Sequence, residues 1–246
     1  ALSEQPQHLS HYFRQRFAQV SNPPIDSIRE RSVMSLTALL GKTRNVLDAT
    51  VEHCRKIRIE QPVLTNGELQ KLRNISAPGF ASHEIESLFY ADNPETGLEN
   101  AIKSICKEAD FAVKSGNNLL IISDRNADKN RVAIPSLLAV GAIHHYLIKQ
   151  GVRSNVSLIA ECGDARSTHH FATLLGYGAN AVNPYMVYDI LRHSLKEGRV
   201  ESTSDNTELD AYFEKVKNYQ KAIGNGLLKI FAKMGISTLE SYQGAQ

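Results

Sequence analysis

The residues of this chain that could carry chemistry follow three short apolar runs. The runs are Leu119–Ser123, Val156–Glu161 and Ala179–Asn183, and each leads into polar or charged side chains. The candidate residues at these ends are Asp124, Arg125, Glu161, Asp164, Arg166 and Asn183. Carboxyl and guanidinium groups this close in sequence suit either general acid/base catalysis or an ion-pair network. No nucleophile or set of metal ligands accompanies them, which favours the ion-pair network.

The elements that must position these residues are repeated strand–helix units. Each run is almost continuously apolar, and helical patterns follow Pro135, Arg166 and Pro184. Such runs are typical of parallel strands that are covered on both faces and joined by helical crossovers. In sheets and barrels of this kind the carboxyl ends of the strands carry the chemistry, when there is any. We therefore predict an α/β fold whose parallel βα units resemble a partial or degenerate TIM-type barrel.

We expect the βα-repeat core to span residues 117–246 and a mainly helical N-terminal extension to span residues 1–116. Within the extension the pattern predicts a strand between Phe80 and Tyr90 and a basic, solvated face that includes Arg73. The predicted helices of the chain outside the βα units are His11–Phe17, Ile28–Leu40 capped by Asp26 or Ser27, a helix capped by Thr65 and Glu68, Gly97–Ser115 and Leu209–Met234. A fourth apparent strand covers Gly235–Tyr242.

A rigid loop stands near the start of the chain. Asn22 is followed by Pro23 and Pro24, and the two prolines forbid helix and remove two backbone donors. The loop is either a stiff linker or an element held against a neighbouring surface.

The cysteines and histidines do not form a recognisable metal site. Cys54, Cys106 and Cys162 lie more than fifty residues apart without a C-x-x-C pair, and we expect all three to be buried or inert thiols. The adjacent histidines 144–145 and 169–170 lie about 100° apart around a helix, so neither pair can face one ion. The glycines of Gly176–Gly178 precede a strand, which excludes a dinucleotide-binding fingerprint.

Composition excludes several classes of partner. The chain has 246 residues and a net charge of +2, without clustered basic residues, which gives no indication of nucleic-acid binding. No apolar run of about 18 residues is present, so we expect no membrane span and a cytoplasmic protein. The chain starts with Ala1, and the last predicted strand lacks a following helix. We expect a unit cut from a longer chain.

Many short segments together resemble the central domain of the glutamate synthase large subunit. The resemblance runs in order over nearly the whole chain and includes the NPPID motif that begins at Asn22. The segments that carry it are Phe17–Glu30, Leu64–Asn66, Ser123–Arg125, Ile134–His145, His169–Ala172, Gly176–Ala179, Ala181–Tyr185 and Lys233–Thr238.

The resemblance implies a role inside a larger enzyme. In that family this domain lies between a glutamine amidotransferase domain and an FMN-binding barrel that also carries an iron–sulfur cluster. Glutamate synthase hydrolyses glutamine, conducts the ammonia through an internal path and makes glutamate from 2-oxoglutarate at the flavin. The resemblance therefore implies a non-catalytic coupling domain, with those two domains as partners and with FMN and the cluster elsewhere in the full-length enzyme.

For this chain we accordingly expect no catalytic, cofactor-binding or metal-binding residues. The Glu161–Asp164 segment carries Cys and Asp where the family pattern favours Ser or Thr and Glu. Two alternatives remain, a free-standing α/β phosphate- or anion-binding protein and an independent interaction module. Exposed apolar residues around Tyr12, Phe13 and the last strand would give the isolated chain a tendency to self-associate.

Overall fold

The computed structural model describes residues 4–17, 23–92, 96–199 and 207–245. The strands are β1 (Ala38–Leu40), β2 (Ile57–Ile59), β3 (Ser82–Glu86), β4 (Leu88–Tyr90), β5 (Leu119–Ser123), β6 (Arg131–Ala133), β7 (Ser157–Glu161) and β8 (Ala181–Asn183). The α-helices are α1 (Asn66–Arg73), α2 (Gly97–Lys114), α3 (Ser136–Lys149), α4 (Thr168–Gly176), α5 (Tyr185–Lys196), α6 (Glu208–Lys233) and α7 (Leu239–Tyr242).

The centre of the fold is a parallel sheet with the strand order β3-β5-β7-β8. Consecutive strands are neighbours, and the helices α2, α3 and α4 make the crossovers between them. The predicted α/β class with parallel βα units is confirmed, and β5 has the predicted bounds. Because β3 belongs to this sheet and α2 is its crossover, the βα repeat begins before residue 117.

A short extended segment lengthens the sheet beyond β8. The backbone N–H of Val182 donates to the carbonyl of Pro62 at 2.7 Å, and the N–H of Leu64 donates to the carbonyl of Val182 at 2.9 Å. Val63 thereby forms a parallel bridge with Val182. The edge of β8 is therefore paired with residues from the N-terminal part of the chain.

The two faces of the sheet are buried in different ways, because successive strand residues point to opposite sides. Leu120 and Ile122 of β5 pack into the larger apolar cluster with residues of the crossover helices. Leu119 and Ile121 pack into a second cluster. The other buried members of the second cluster are Leu40, Leu64, Leu69, Leu72, Ile159 and Ala181. Helix α1 and the antiparallel pair β1–β2 thus cover the face that would point to the interior of a closed barrel.

The predicted helix at 28–40 is wrong. Asp26 does act as a cap, since its Oδ1 accepts the backbone N–H of Ile28 at 2.9 Å and that of Arg29 at 3.0 Å. The chain then makes a turn, a short 3₁₀ helix at Arg31–Val33 and strand β1. The extended backbone is favoured here because β1 pairs with β2, and the Ser35 N–H donates to the Ser237 carbonyl.

The predicted strand at Gly235–Tyr242 is also wrong. Thr238 makes a single parallel bridge with Ser35, and its side chain then accepts the backbone N–H of Ser241 at 3.3 Å. That cap begins α7, which buries Leu239 and Tyr242. Leu239 and Tyr242 are three residues apart, so both side chains pack into the core from this one short helix.

The first segment is only partly helical. A 3₁₀ helix covers Leu9–Tyr12, and the backbone after it is extended instead of continuing the predicted helix to Phe17. Tyr12 and Phe17 are exposed, whereas Phe13 packs edge-on against Tyr177 with ring centroids 5.0 Å apart. The helices predicted at Gly97–Ser115 and Leu209–Met234 and the capping box of Thr65 and Glu68 are present.

No helix in the described ranges combines the length and apolar character that a membrane crossing needs.

The cluster on the inner face predicts the effect of shortening Leu69. This side chain is fully buried between α1 and the sheet, so Leu69→Ala should lower the free energy of unfolding by about 2–5 kcal/mol through lost burial and a residual cavity. Leu47→Ala is the matched control, because Leu47 is 90% exposed and its loss should change stability by less than about 0.5 kcal/mol. Equal urea midpoints for the two variants would contradict the packing of α1 against the sheet.

Candidate functional site

The candidate site is the carboxyl-terminal edge of the parallel sheet. The strand register sets Ser123 beside Glu161 and Glu161 beside Asn183. All three side chains are buried, as is Asp124 directly after β5. Residues that are distant in sequence therefore form one polar layer at the end of the strands.

Glu161 is the centre of this layer. Its carboxylate is 2% exposed and accepts a hydrogen bond from Ser123 Oγ at 2.7 Å. Arg73 Nη2 lies 2.6 Å from Oε2, and Arg125 Nη1 lies 3.4 Å from Oε1. A buried carboxylate needs such partners, because removing its charge from water without them costs several kcal/mol.

Arg73 is the partner that sequence reasoning missed, since we expected it on a solvated basic face. Its Nε also donates to Glu84 Oε2 at 2.6 Å, so one guanidinium joins two carboxylates. Burial disfavours the charged form, but hydrogen bonds and charges of Glu84 and Glu161 raise the pKa of Arg73 above its usual value. The sequence did contain one indication that Arg73 faces the sheet. Arg73 lies four residues after Leu69, which places both on the same, buried side of α1.

Asp124 occupies a different environment in the same layer. Both carboxylate oxygens accept the backbone N–H of Gly163, at 3.0 and 3.1 Å, and the Tyr185 side chain also forms a hydrogen bond to the carboxylate. Burial raises the pKa of Asp124 to about 6, and the charges of Asp164 and Glu161 add to the rise against these hydrogen bonds. Arg125 lies over the Tyr185 ring, 4.6 Å from its centroid.

Asp164 and Arg166 are not in the ion-pair cluster of Glu161. Asp164 accepts hydrogen bonds from the Oγ and backbone N–H of Ser136, at 2.6 and 3.2 Å, and lies 3.4 Å from His8 Nε2. Burial alone would raise the pKa of Asp164, but the nearby His8 imidazole and the hydrogen bonds from Ser136 hold it below its usual value. Arg166 is exposed, and its side chain makes no ion pair within the described ranges.

Asn183 fixes the connection between β8 and the N-terminal part. Its Nδ2 donates to the Leu64 carbonyl at 2.9 Å and to Asn66 Oδ1 at 3.1 Å. Tyr188 Oη donates to the same carbonyl at 2.9 Å. These contacts give Asn183 a structural task at the start of α1.

The structure describes only part of the proline loop. Asn22 falls outside the described residues, and Pro23 and Pro24 are exposed. The next residue, Ile25, donates its backbone N–H to the Ala232 carbonyl at 2.9 Å, which fixes the end of the loop against α6.

The histidines and cysteines take other roles. No group of three or more His, Cys, Asp or Glu side chains in the described ranges has the geometry to hold a metal ion. Cys106 and Cys162 are buried, which agrees with the expectation of buried or inert thiols, whereas Cys54 is exposed. Cys54 is the last residue of a 3₁₀ helix and belongs to neither of the two apolar clusters described above.

The arrangement at the strand edge is suited to holding elements together. Arg73, Arg125 and Tyr185 occupy the space over the strand ends, where barrel enzymes bind ligands. Three cavities, of about 650, 600 and 240 Å³, have linings that do not include Asp124, Glu161 or Asp164. An ion-pair network therefore describes this site better than general acid/base catalysis.

Fold and site together define an α/β protein with the parallel βα units of a partial TIM-type barrel. The family model described as "Glutamate synthase central domain" matches residues 1–246. The chain belongs to this family.

Its relatives are much longer proteins. It is 44% identical over 252 aligned residues to "Glutamate synthase [NADH]" of Schizosaccharomyces pombe and 42% identical over 245 to "Glutamate synthase [NADPH] large chain" of Bacillus subtilis. It is also 42% identical to the "Ferredoxin-dependent glutamate synthase" of Pyropia yezoensis. Each alignment covers 100% of this chain but only 11%, 15% and 16% of these relatives, respectively.

Solved structures overlap with the chain only partly. A flavocytochrome b2 variant with bound sulfite has a TM-score of 0.41 at 12% identity and aligns with 74% of this chain and 38% of its own. Inosine 5′ monophosphate dehydrogenase of Legionella pneumophila has a TM-score of 0.37 at 12% identity and aligns with 72% of this chain and 67% of its own.

The buried carboxylate of Glu161 predicts a large effect of removing Arg73. Arg73→Met should lower the free energy of unfolding by about 2–4 kcal/mol, because it leaves Glu161 with the more distant Arg125 as its only cationic partner among the described residues. The double variant Arg73→Met/Glu161→Gln should recover part of this loss, since it also removes the unpaired charge. Urea unfolding followed by circular dichroism measures both.

Lys71→Met is the control for Arg73, because Lys71 is an exposed cation on the same helix. A loss of stability as large in Lys71→Met as in Arg73→Met would show that the ion pairs of Arg73 are not what stabilises the edge.

The raised pKa of Asp124 predicts a pH dependence of stability. The folded chain holds the Asp124 proton up to about pH 6, whereas the unfolded chain releases it near the usual 3.8. Stability should therefore fall as the pH rises from about 4 to about 6, by about 3 kcal/mol. The Asp124→Asn variant should not show this fall in stability. The free energy of unfolding of the variant, compared with that of the parent chain, should therefore increase between about pH 4 and about pH 6.

Asp48→Asn serves as the control for Asp124, because Asp48 is an exposed carboxyl. The stability difference between Asp124→Asn and the parent chain should change by about 3 kcal/mol more between about pH 4 and about pH 6 than that of Asp48→Asn. Equal changes for the two variants would contradict a raised pKa.

Proposed function

We propose that this chain is a non-catalytic coupling domain of a glutamate synthase. In this role it joins a glutamine amidotransferase domain to an FMN-binding domain and helps to form the path that ammonia takes between them. The whole enzyme converts glutamine, 2-oxoglutarate and a reductant into two molecules of glutamate. The family membership and the small share of the relatives' length that the chain covers support a role inside a larger polypeptide.

The observation that carries the non-catalytic role is the occupied strand edge. Arg73 and Arg125 both reach the buried carboxylate of Glu161, and Arg125 also covers Tyr185. A substrate at this edge would have to displace the ion pairs that hold α1 to the sheet. The edge thus serves stability, and the chemistry belongs to the neighbouring domains.

The strand edge and the cysteines of the described residues do not fit the cofactors of such an enzyme. At the strand edge, a Cβ at Gly163 would lie 3.0 Å from Tyr185 Oη, so the backbone there is already covered by a side chain and is closed to a flavin phosphate. An iron–sulfur cluster needs several thiolates within reach of one another. Here Cys106 and Cys162 are buried in the core, whereas Cys54 is exposed at the surface. FMN and the cluster are therefore assigned to other parts of the full-length enzyme.

The test is a segment exchange in a full-length relative. The corresponding segment of the Bacillus subtilis NADPH glutamate synthase large chain would be exchanged for this chain, and glutamine consumption, glutamate formation and free ammonia would be measured together. We expect glutamine hydrolysis and glutamate synthesis to remain coupled, with little free ammonia. The control carries the relative's own segment reinserted through the same junctions.

Two outcomes would contradict the proposal. One is a replaced enzyme that retains both half-reactions at the control's rates but releases its ammonia to solvent. The other is hydrolysis of glutamine by the purified 246-residue chain alone, which would give it a catalytic site of its own.

A further inference from the structure

A second region, away from the strand edge, has the properties of a ligand site. It is a cavity of about 650 Å³ between the extended segment 13–16 and the helices α3, α4, α6 and α7. Ligand pockets of small molecules commonly have volumes of about 300–1,000 Å³. The function proposed above makes no use of this cavity.

The cavity has basic side chains and no acidic ones. Its lining includes the charged Arg14 and Arg16 together with His144, His145 and His169, and it includes no Asp or Glu. Arg14 and Arg16 are exposed, and neither forms an ion pair within the described ranges. Two guanidinium groups without carboxylate partners make the opening of the cavity attractive to anions.

The helix ends that border the cavity do not cancel this charge. The C-termini of α4 and α6 would present partly negative carbonyls. The Gly176 carbonyl, however, accepts the Gly244 N–H at 2.9 Å, and the Ile230 carbonyl accepts Gln15 Nε2 at 3.1 Å. These carbonyls are engaged, and each helix end carries only about half a negative charge, which is less than the two guanidinium charges of Arg14 and Arg16.

A half-buried cation lies behind one wall. Arg153 donates to His144 Nδ1 at 2.9 Å, to the carbonyls of Val156 and Gly178 at 2.6 and 2.7 Å, and to Asn180 Oδ1 at 3.4 Å. All of these acceptors are neutral, and no carboxylate pairs with Arg153 within the described ranges. Burial lowers the pKa of Arg153 to about 10, which still leaves it charged at neutral pH.

His144 connects this cation to the cavity. Since its Nδ1 accepts from Arg153, its proton is on Nε2, which makes that atom a hydrogen-bond donor. Burial and the charge of Arg153 lower the pKa of His144 to about 4, so the ring stays neutral at physiological pH. The wall thus combines a neutral donor with an uncompensated positive charge directly behind it.

The remaining walls are apolar and aromatic. Phe13 and Tyr177 pack edge-to-face with centroids 5.0 Å apart, and Ile230 and Met234 line the same space. Aromatic and thioether surfaces of this kind hold flat apolar groups.

We propose that this cavity binds a small organic phosphate with a flat apolar body, whose phosphate is held by Arg14 and Arg16 while its body lies against Phe13, Tyr177 and Met234. This goes beyond the coupling role and does not depend on it.

The experiment is a calorimetric titration of the chain with three probes. AMP carries both a phosphate and a flat base, adenosine carries only the base, and inorganic phosphate carries only the charge. We expect AMP to bind at least about tenfold more tightly than either partial probe, and its affinity to fall as salt is raised, because the arginine contacts are screened.

Matched variants locate the binding. Arg14→Gln/Arg16→Gln should weaken the affinity for AMP by about tenfold or more. Arg29→Gln/Arg31→Gln removes the same number of exposed charges elsewhere and should leave the affinity unchanged. Circular dichroism confirms that each variant remains folded.

Three results would overturn the proposal. They are no AMP binding at millimolar concentrations, equal loss of affinity in both double variants, and inorganic phosphate binding as tightly as AMP. The last would show an anion site without a pocket for the apolar body.

Discussion

The buried carboxylate of Glu161 constrains more of this structure than any other single group. It lies at the end of a central strand with 2% of its side chain exposed, and it must be neutralised inside the protein. Arg73 reaches it from α1 and Arg125 from the loop after β5. Because Arg73 also holds Glu84 on β3, one cation ties the N-terminal part to two strands of the sheet.

These ion pairs of Arg73 help to explain how a four-stranded, barrel-like sheet is stable without closing into a barrel. The inner face of the sheet presents Leu119, Ile121 and Ile159, which would be exposed if nothing covered them. Leu69 and Leu72 of α1 fill this side, together with residues of the β1–β2 pair. The same packing that replaces the missing half of a barrel also occupies the edge where barrels bind ligands. The stability of this edge and its coverage by side chains therefore have one cause.

Basic side chains are used in two contrasting ways. Arg73 is matched to two carboxylates and fixes the fold. Arg14 and Arg16 are exposed beside an open cavity, and Arg153 is half-buried among neutral acceptors. Net charge does not reveal this difference, since the whole chain carries only +2. The distribution of carboxylates around each guanidinium decides whether it serves the fold or is available to a ligand.

The sequence by itself determined the parallel βα repeat, the bounds of β5, the long helices and the capping box at Thr65, because these follow from local periodicity and short-range hydrogen bonds. It also brought the strand-end residues to one edge, since parallel strands end together. Only the tertiary structure decided that residues 28–40 form a turn and a strand, that Thr238 begins a helix, and that Arg73 points inward. For β1 and for Arg73 the deciding contact joins residues far apart in the chain. Thr238 caps α7 locally by accepting the Ser241 N–H, but the bridge of Thr238 to Ser35 is again a contact over a long distance in the chain. Pairing and charge neutralisation over such distances override local preference, and the sequence pattern does not show them directly.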